Sequence, residues 1–197
     1  MIKNIHPIFT QSSVEQFNFN IDTIKTVIIG TNVTEIGELA FNGAIKLTKI
    51  IIPNTVTIIG NSAFNATHSL KTIQLPDSIT SLGPSAFQST LLKFIIVPHN
   101  ISNIGSTAFA GDVLRPIIMP LPSKSITIGN DLFYNGSPHI FVYDSQVNAY
   151  YSATYANAGI NSYFNINKNT KYTYIDIMNQ YSILTINDFV YAGYPTT

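Results

Sequence analysis

The chain has 197 residues and a formal net charge of zero; hydrophobic residues make up 45% of it and charged residues only 10%. So high an apolar share excludes a disordered charged tail and predicts a folded domain with a sizeable core. Neutrality removes any overall attraction to nucleic acid or to an anionic membrane, so no nucleic-acid partner is expected. The absence of Cys excludes disulfides and thiolate metal sites.

Residues 1–23 are predicted to form an N-terminal cap. Phe17, Phe19 and Ile21 alternate in FNFNI, which favours a strand that covers the apolar end of the next segment. The opening residues lack the apolar central region of a signal peptide, and no run in the chain approaches the roughly 18 apolar residues of a membrane helix. These features predict no membrane insertion and leave the compartment unassigned.

Residues 24–143 consist of about five similar copies and a final strand. Phe recurs at intervals of 22 to 24 residues, Gly recurs in the same phase, and Pro forms a third series. The series are Phe41, Phe64, Phe87, Phe109 and Phe133; Gly37, Gly60, Gly83, Gly105 and Gly129; and Pro53, Pro76, Pro98 and Pro120. Three residue types in one phase indicate a repeat architecture, in which each copy follows the pattern L-x-x-I-x-I-P-x-x-V-x-x-I-G-x-x-A-F.

The third copy, LKTIQLPDSITSLGPSAF, shows what each position is expected to do. Leu70, Ile73 and Leu75 point inward from a short strand, which Pro76 ends because proline has no N–H to donate. A second extended segment runs to Gly83, where glycine allows either a positive φ or a close backbone approach. The following Ala-Phe pair closes the coil, and Phe fills its interior.

A single coil of this kind cannot bury its apolar side, but stacked coils can. The five Phe are then expected to form a continuous internal spine. The predicted fold is a mainly β repeat solenoid with a parallel sheet along one face.

The Ile-Pro, Ile-Gly and Ala-Phe landmarks resemble those of the BspA-type subfamily of leucine-rich repeats, over residues 24–143. Members of that family often carry Cys three residues after the Phe, a position that this chain fills with Ala44, Thr67, Thr90 and Asp112. The resemblance implies a leucine-rich-repeat coil, a surface, adhesion or interaction role, and no shared catalytic site. It also implies a cell-surface or extracellular location, with a virion or the cytoplasm as alternatives.

Residues 144–197 differ in composition, because every Tyr of the chain lies at or after Tyr134. A short helix is predicted to begin at Asp144 or Ser145, to end at Gly159 and to cap the last coil. Its apolar and tyrosyl residues at near-helical spacing are Val147, Tyr150, Tyr151 and Tyr155. KYTYIDIMNQ and YSILTINDFVYAG then form a small β tail. This tail either packs on the solenoid or mediates self-association with another chain.

The outward strand positions predict a binding surface, because columns of side chains on stacked coils lie about 5 Å apart. One column is apolar with a single interruption and the column beside it is basic, with no acid in any of these strands. The apolar column consists of Ile28, Ile51, Gln74, Ile96 and Ile118, and the basic column of Lys25, Lys49, Lys71, Lys93 and Arg115, with Lys49 one place out of line. Phe94 is also expected to point outward.

Two explanations fit these columns. An amphipathic sheet surface can grip a partner by apolar contact and select it for negative charge. Alternatively, Ile is simply suited to strands, and Lys keeps an exposed sheet soluble.

No catalytic or metal-binding motif stands out in the sequence. His6, His68, His99 and His139 lie in separate segments without metal-ligand spacing, and there is no Gly-rich phosphate loop and no nucleophile elbow. We therefore expect no enzyme activity, no metal and no cofactor. The predicted function is a noncatalytic interaction or adhesion module that displays a rigid surface to a protein or glycan. The alternative is a structural subunit of a larger assembly, such as a surface layer or virion, which uses its edge and tail for lateral contacts.

Overall fold

The computed structural model describes residues 8–9, 20–111, 116–118, 127–132 and 139–141. These ranges contain short strands and one 3-10 helix, and no helix within them is long and apolar enough to cross a bilayer. In chain order the elements are β1 (Ile8–Phe9), the 3-10 helix (Ile21–Thr23), β2 (Thr26–Ile28), β3 (Glu35–Ile36), β4 (Lys49–Ile51), β5 (Ile58–Ile59), β6 (Ser81–Leu82), β7 (Ile95–Ile96), β8 (Asn103–Ile104), β9 (Pro116–Ile118), β10 (Thr127–Ile128) and β11 (His139–Phe141).

Like strands of successive coils pair in parallel and form three sheets. We call one of them the long sheet; it has six strands in the order β1-β3-β5-β6-β8-β10. The split sheet consists of the pair β2-β4 and the triplet β11-β9-β7. The predicted mainly β solenoid of parallel strands is confirmed, but strands line two of its faces instead of one. The second extended segment of each copy also pairs with its neighbours, because its backbone polar groups need partners.

The split sheet is interrupted at the third copy. Residues 70–75 carry no strand, although the amide of Lys93 still donates to the carbonyl oxygen of Lys71 at 2.7 Å. Leu70 and Ile73 are nevertheless buried, and Leu75 packs partly buried against the core, as the sequence predicts. In the third copy, side chains therefore still alternate between inward and outward positions although the backbone does not form a β-strand.

Phenylalanine rings stack along the interior of the solenoid. The ring centroids of Phe41 and Phe64, and those of Phe64 and Phe87, are 5.3 Å apart. Phe87 and Phe109 follow at 6.1 Å, and all four rings are buried. The predicted spine is confirmed for these four residues, while Phe133 lies outside the described residues.

The glycines that precede each Ala-Phe pair let the coils approach closely. A Cβ at Gly83 would lie 2.6 Å from the carbonyl carbon of Gly60, and a Cβ at Gly60 would lie 2.7 Å from the carbonyl carbon of Gly37. The backbone of one coil thus occupies the space that a side chain on the next would need. Close approach is the role of this column. A positive φ, the other alternative, is wrong for Gly60 and Gly83.

The positive φ falls two residues after these glycines, on residues that have side chains. Leu39, Ser62, Ser85, Thr107 and Asp131 have φ between 51° and 58°. This conformation costs about 1–2 kcal/mol for a residue with a Cβ. It also turns the amide toward the next coil, so that Ser62 donates to the carbonyl oxygen of Pro84 at 2.9 Å. The hydrogen bond between coils offsets the local strain.

Backbone and side-chain hydrogen bonds tie each coil to both of its neighbours. The amide of Gly83 donates backward to the carbonyl oxygen of Ile59 at 2.8 Å, whereas that of Phe87 donates forward to Ala108 at 2.8 Å. On the long-sheet side, the hydroxyls of Thr80 and Ser102 each donate to a carbonyl one coil earlier, at 3.2 and 3.0 Å. Hydrogen bonds across the junctions between the described coils keep the stack in register.

The position three residues after the Phe is fully buried. Thr67 and Thr90 donate their hydroxyls to the carbonyl oxygens of Phe64 and Phe87, at 2.9 and 3.0 Å. A buried hydroxyl without a partner would be destabilising, so these two bonds explain how a polar residue is accommodated there.

The N-terminal cap differs in detail from the prediction. Ile21, expected on a strand, lies in the 3-10 helix, because the Asn20 side chain accepts a hydrogen bond from the Asp22 amide at 3.0 Å and begins a helical turn. Ile21 still packs partly buried against the core. The predicted C-terminal helix and β tail lie outside the described residues, as do Phe17 and Phe19. The domain bounds at residues 23 and 143 stay predictions.

Candidate interaction surface

Strands β2 and β4 show the alternation on which the predicted surface depends. Val27 and Ile50 are buried, whereas Ile28 and Ile51 are 37% and 45% exposed. The two exposed isoleucines lie opposite each other in the parallel register. An apolar pair on adjacent strands, about 5 Å apart, is therefore open to solvent.

Basic and polar side chains surround this pair. Lys25, Lys49 and Lys71 are exposed, and so is Gln74, which continues the isoleucine column into the third coil. Lys49 lies opposite Thr26, one place out of the basic column, as predicted. We call these residues the three-coil surface: Lys25, Ile28, Lys49, Ile51, Lys71 and Gln74.

The backbone beneath the three-coil surface is firmly held. The carbonyl oxygen of Lys25 accepts from the amides of Thr48 and Lys49, at 2.9 and 3.2 Å, and from the Thr48 hydroxyl at 3.0 Å. The Lys71 ammonium donates to the carbonyl oxygen of His68 at 3.0 Å, which places that charge at the corner where the third strand segment begins. The charged side chains are therefore attached to backbone that is already ordered before a partner binds.

Sequence reasoning missed a second exposed column at this corner. Ile45, His68 and Leu91 are each the fourth residue after a spine Phe, and all three are exposed. Ile45 and Leu91 are large apolar side chains that solvent reaches. The repeat phase could have identified the column, because each member directly follows the buried position three residues after the Phe.

Phe94 and Ile96 do not belong to an open surface, contrary to the prediction. Phe94 is 1% exposed and Ile96 is 6% exposed. Alternation along a strand decides the side to which a side chain points, but it does not decide whether that side is open. Both side chains are large and apolar, so the hydrophobic effect favours their being covered. Lys93, in the same coil, is half-buried.

The remaining predicted surface residues are in the fifth copy. Arg115 lies outside the described residues, and Ile118 is described by its place in β9, opposite Ile96. Among the described residues, the predicted surface residues of the first three coils are therefore the ones that are exposed.

Within the described part of the chain, no group of three or more His, Asp or Glu side chains is placed to hold a metal ion. His68 and His99 are exposed in different coils. Among the described residues, the exposed strand faces are the feature that best supports a function.

The sequence matches the family model described as BspA type Leucine rich repeat region (6 copies), over residues 11–138 and 95–191. No curated protein matches it. A leucine-rich repeat protein from Eubacterium ventriosum has a similar solved structure, with a TM-score of 0.54 and 24% identity over 79% of this chain and 38% of that one.

Two further solved structures show weaker similarity. A leucine-rich repeat protein from T. pallidum gives a TM-score of 0.48 and 23% identity, over 72% of this chain and 71% of that one. A leucine-rich repeat protein from Bacteroides ovatus gives 0.45 and 24%, over 62% of this chain and 40% of that one. The chain spans less than half the length of the Bacteroides and Eubacterium proteins.

The family match covers most of the chain, and the stacked coils, the Phe spine and the close-packed Gly column agree with it. The chain belongs to the BspA-type leucine-rich-repeat family, and leucine-rich-repeat proteins are generally noncatalytic protein-interaction modules.

Proposed function

We propose that this chain is a noncatalytic interaction or adhesion module that binds an extended protein partner through the three-coil surface. The observation that carries the proposal is the exposed pair Ile28 and Ile51, flanked by Lys25, Lys49 and Lys71. Solvent-exposed apolar side chains within a charged rim are typical of surfaces that exchange water for a partner.

The chemistry of this surface defines the partner that fits it. The isoleucines offer apolar contact, and the three ammonium groups attract carboxylates, so the partner segment should alternate apolar and acidic side chains. The columns follow the stacking direction, which favours an extended segment over a small molecule. A glycan is the alternative partner. Its hydroxyls would hydrogen-bond to the Lys and Gln74 side chains, and it would gain less from apolar contact with the isoleucines.

Rigid display is the mechanism. The exposed side chains rise from coils whose backbone groups hydrogen-bond to adjacent coils, so the receptor loses little conformational freedom when the partner binds. Specificity then comes from the spacing of the columns and affinity from the apolar pair.

The charges of the surface can be tested once a partner has been captured from native material. Lys25→Gln combined with Lys71→Gln should weaken binding roughly 2- to 30-fold, since each exposed ion pair contributes about 0.2–1 kcal/mol. Isothermal titration calorimetry measures the change. The matched control is Asn54→Glu combined with His99→Glu, which also lowers the net charge by about two and alters exposed positions outside the surface. Equal losses in both double variants, or no loss in the Lys pair, would contradict the proposal.

A structural subunit of a larger assembly, such as a surface layer or virion, is the second candidate. The observation that favours it is the edge of β2, which among the described strands pairs with β4 alone. A free strand edge can accept a strand from another chain. The oligomeric state separates the two roles.

A further inference from the structure

The backbone of the second and third coils is not joined on the side of the split sheet. Among the described residues, no backbone hydrogen bond connects residues 50–53 with residues 72–75. The first and second coils, by contrast, are joined there by the parallel pairing of β2 with β4. The amide of Ile29 also donates to the carbonyl oxygen of Ile51 at 3.0 Å. We call the gap between residues 50–53 and residues 72–75 the seam.

The same two coils are hydrogen-bonded to each other elsewhere. In the long sheet β5 pairs with β6, and the amide of Gly83 donates to the carbonyl oxygen of Ile59 at 2.8 Å. At the corner before the seam, the hydroxyl of Ser69 donates to the carbonyl oxygen of Ile45. The seam is therefore one side of a junction that hydrogen bonds hold together at other points.

The side chains beneath the seam are covered less completely than those of the neighbouring coils. Ile50 and Ile73 point inward from the two coils that flank the seam, and each is 5% exposed. Val27 and Ile95, the equivalent residues of the first and fourth coils, are each 1% exposed. Solvent thus reaches slightly further into the solenoid at the seam, an observation that does not depend on hydrogen-bond geometry.

We propose that the solenoid bends at the seam, with the long sheet as its hinge. Opening the seam breaks no backbone hydrogen bond of the described residues, whereas opening the same side of the first junction would break the pairing of β2 with β4. The next junction keeps one backbone bond on this side, from the Lys93 amide to the carbonyl oxygen of Lys71, so the bending is concentrated at the seam. The coils on either side of the seam then move as rigid blocks.

The hinge does not depend on the proposed function, but it acts on the same surface. Ile51 and Gln74 occupy one column of the three-coil surface, on opposite sides of the seam. Bending changes the distance between them while each coil stays ordered, so the surface can adjust its spacing to a partner with little loss of conformational freedom. Measurements on the chain alone test the hinge independently of partner binding.

Amide hydrogen exchange in the full-length chain, followed by NMR, tests whether the seam opens. After correction for intrinsic rates, the amides of Thr72 and Gln74 should exchange on the order of tenfold or more faster than that of Ile29, which is bonded across the first junction. The amides of Thr80 and Gly83, bonded to the second coil at 2.8 Å, are the control and should be as protected as that of Ile29. Protected amides at Thr72 and Gln74 would mean a closed seam. Fast exchange at Thr80 and Gly83 would mean local unfolding of the third coil, and either result overturns the proposal.

Pairs of spin labels measure the bending itself. Because the chain has no Cys, labels can be attached uniquely at Ile28→Cys combined with Gln74→Cys, a pair that spans the seam. Thr34→Cys combined with Thr80→Cys is the matched control, since it spans the same coils on the long-sheet side and also uses exposed positions. The distribution of distances from dipolar broadening in frozen solution should be about twofold or more wider for the first pair, as expected for a hinge. Equal widths overturn the proposal, and circular dichroism confirms that each variant folds.

Discussion

At Gly83 one added methyl group would collide with the neighbouring coil. The Cβ of an alanine would lie 2.6 Å from the carbonyl carbon of Gly60, and backbone atoms at that position have little room to give way. The Gly repeat in the sequence indicated a special backbone position but left two explanations open. Contacts between coils decide between a positive φ and a close backbone approach. The sequence of a single repeat does not reveal those contacts.

Gly83→Ala should therefore destabilise the chain by about 1–3 kcal/mol or more through overpacking. Urea unfolding followed by circular dichroism measures the free energy of unfolding. Gly43→Asn is the matched control, because Gly43 has a φ of 70° that Asn tolerates and a Cβ there would meet nothing within 4 Å. A Gly83→Ala protein as stable as this control would show that the coils are not in close contact at that column.

The left-handed residues show where residue-level prediction stops. Leu39 and Ser62 have positive φ, although neither residue type favours it. Their conformation is maintained by backbone hydrogen bonds to the next coil. The Leu39 amide donates to the carbonyl oxygen of Asn61 and the Ser62 amide to that of Pro84, both at 2.9 Å. A hydrogen bond between coils overrides the local backbone preference, so the conformational propensities of the residues could not have revealed these turns.

Among the structural elements, the ring stack is the feature that sequence reasoning described best. Phase alone placed Phe41, Phe64, Phe87 and Phe109 in one column, and in the structure the centroid of each ring lies 5.3 to 6.1 Å from that of the next. An interior column is predictable because every coil has the same closed environment inside. The strands were less predictable, since the third copy keeps its buried pattern without forming a ladder.

Phe87→Ala should lower the free energy of unfolding by about 3–5 kcal/mol, because it removes a ring that packs against Phe64 and Phe109 and leaves a cavity. The loss should appear as a large drop in the midpoint of thermal unfolding, measured by differential scanning calorimetry. Phe87→Leu retains most of the apolar volume and should lose much less. Similar midpoints for the two variants would argue against a tightly packed spine.

For the whole molecule, the sequence predicted the inside of the solenoid better than its outside. Inward positions follow from the repeat, but the exposure of the outward positions differs from coil to coil. Ile51 and Ile96 look equivalent in the sequence, yet only Ile51 is exposed. The exposure of the outward residues in the first three coils was thus predictable, and the burial of Ile96 in the fourth was not.

The oligomeric state distinguishes an interaction module from an assembly subunit. We expect a monodisperse monomer in size-exclusion chromatography with light scattering, because the apolar area exposed by Ile28 and Ile51 is small compared with that of a stable dimer interface. A discrete oligomer or an open polymer would favour the assembly role and the edge of β2 as its contact. Repeating the measurement over a wide range of protein concentration guards against overlooking a weak dimer.

The pattern of bonds across the coil junctions also governs how the chain can change in length. The Gly83 amide donates back to Ile59 while the Phe87 amide donates forward to Ala108, so this described winding is hydrogen-bonded to the windings before and after it. When one complete winding of 22 to 24 residues is added or removed, equivalent backbone groups of the adjoining windings can still hydrogen-bond to each other. A change of half that length would place the Phe rings of one winding beside the glycines of the next. Growth or shrinkage of such a protein over evolution is therefore confined to whole steps of about 5 Å along the stack.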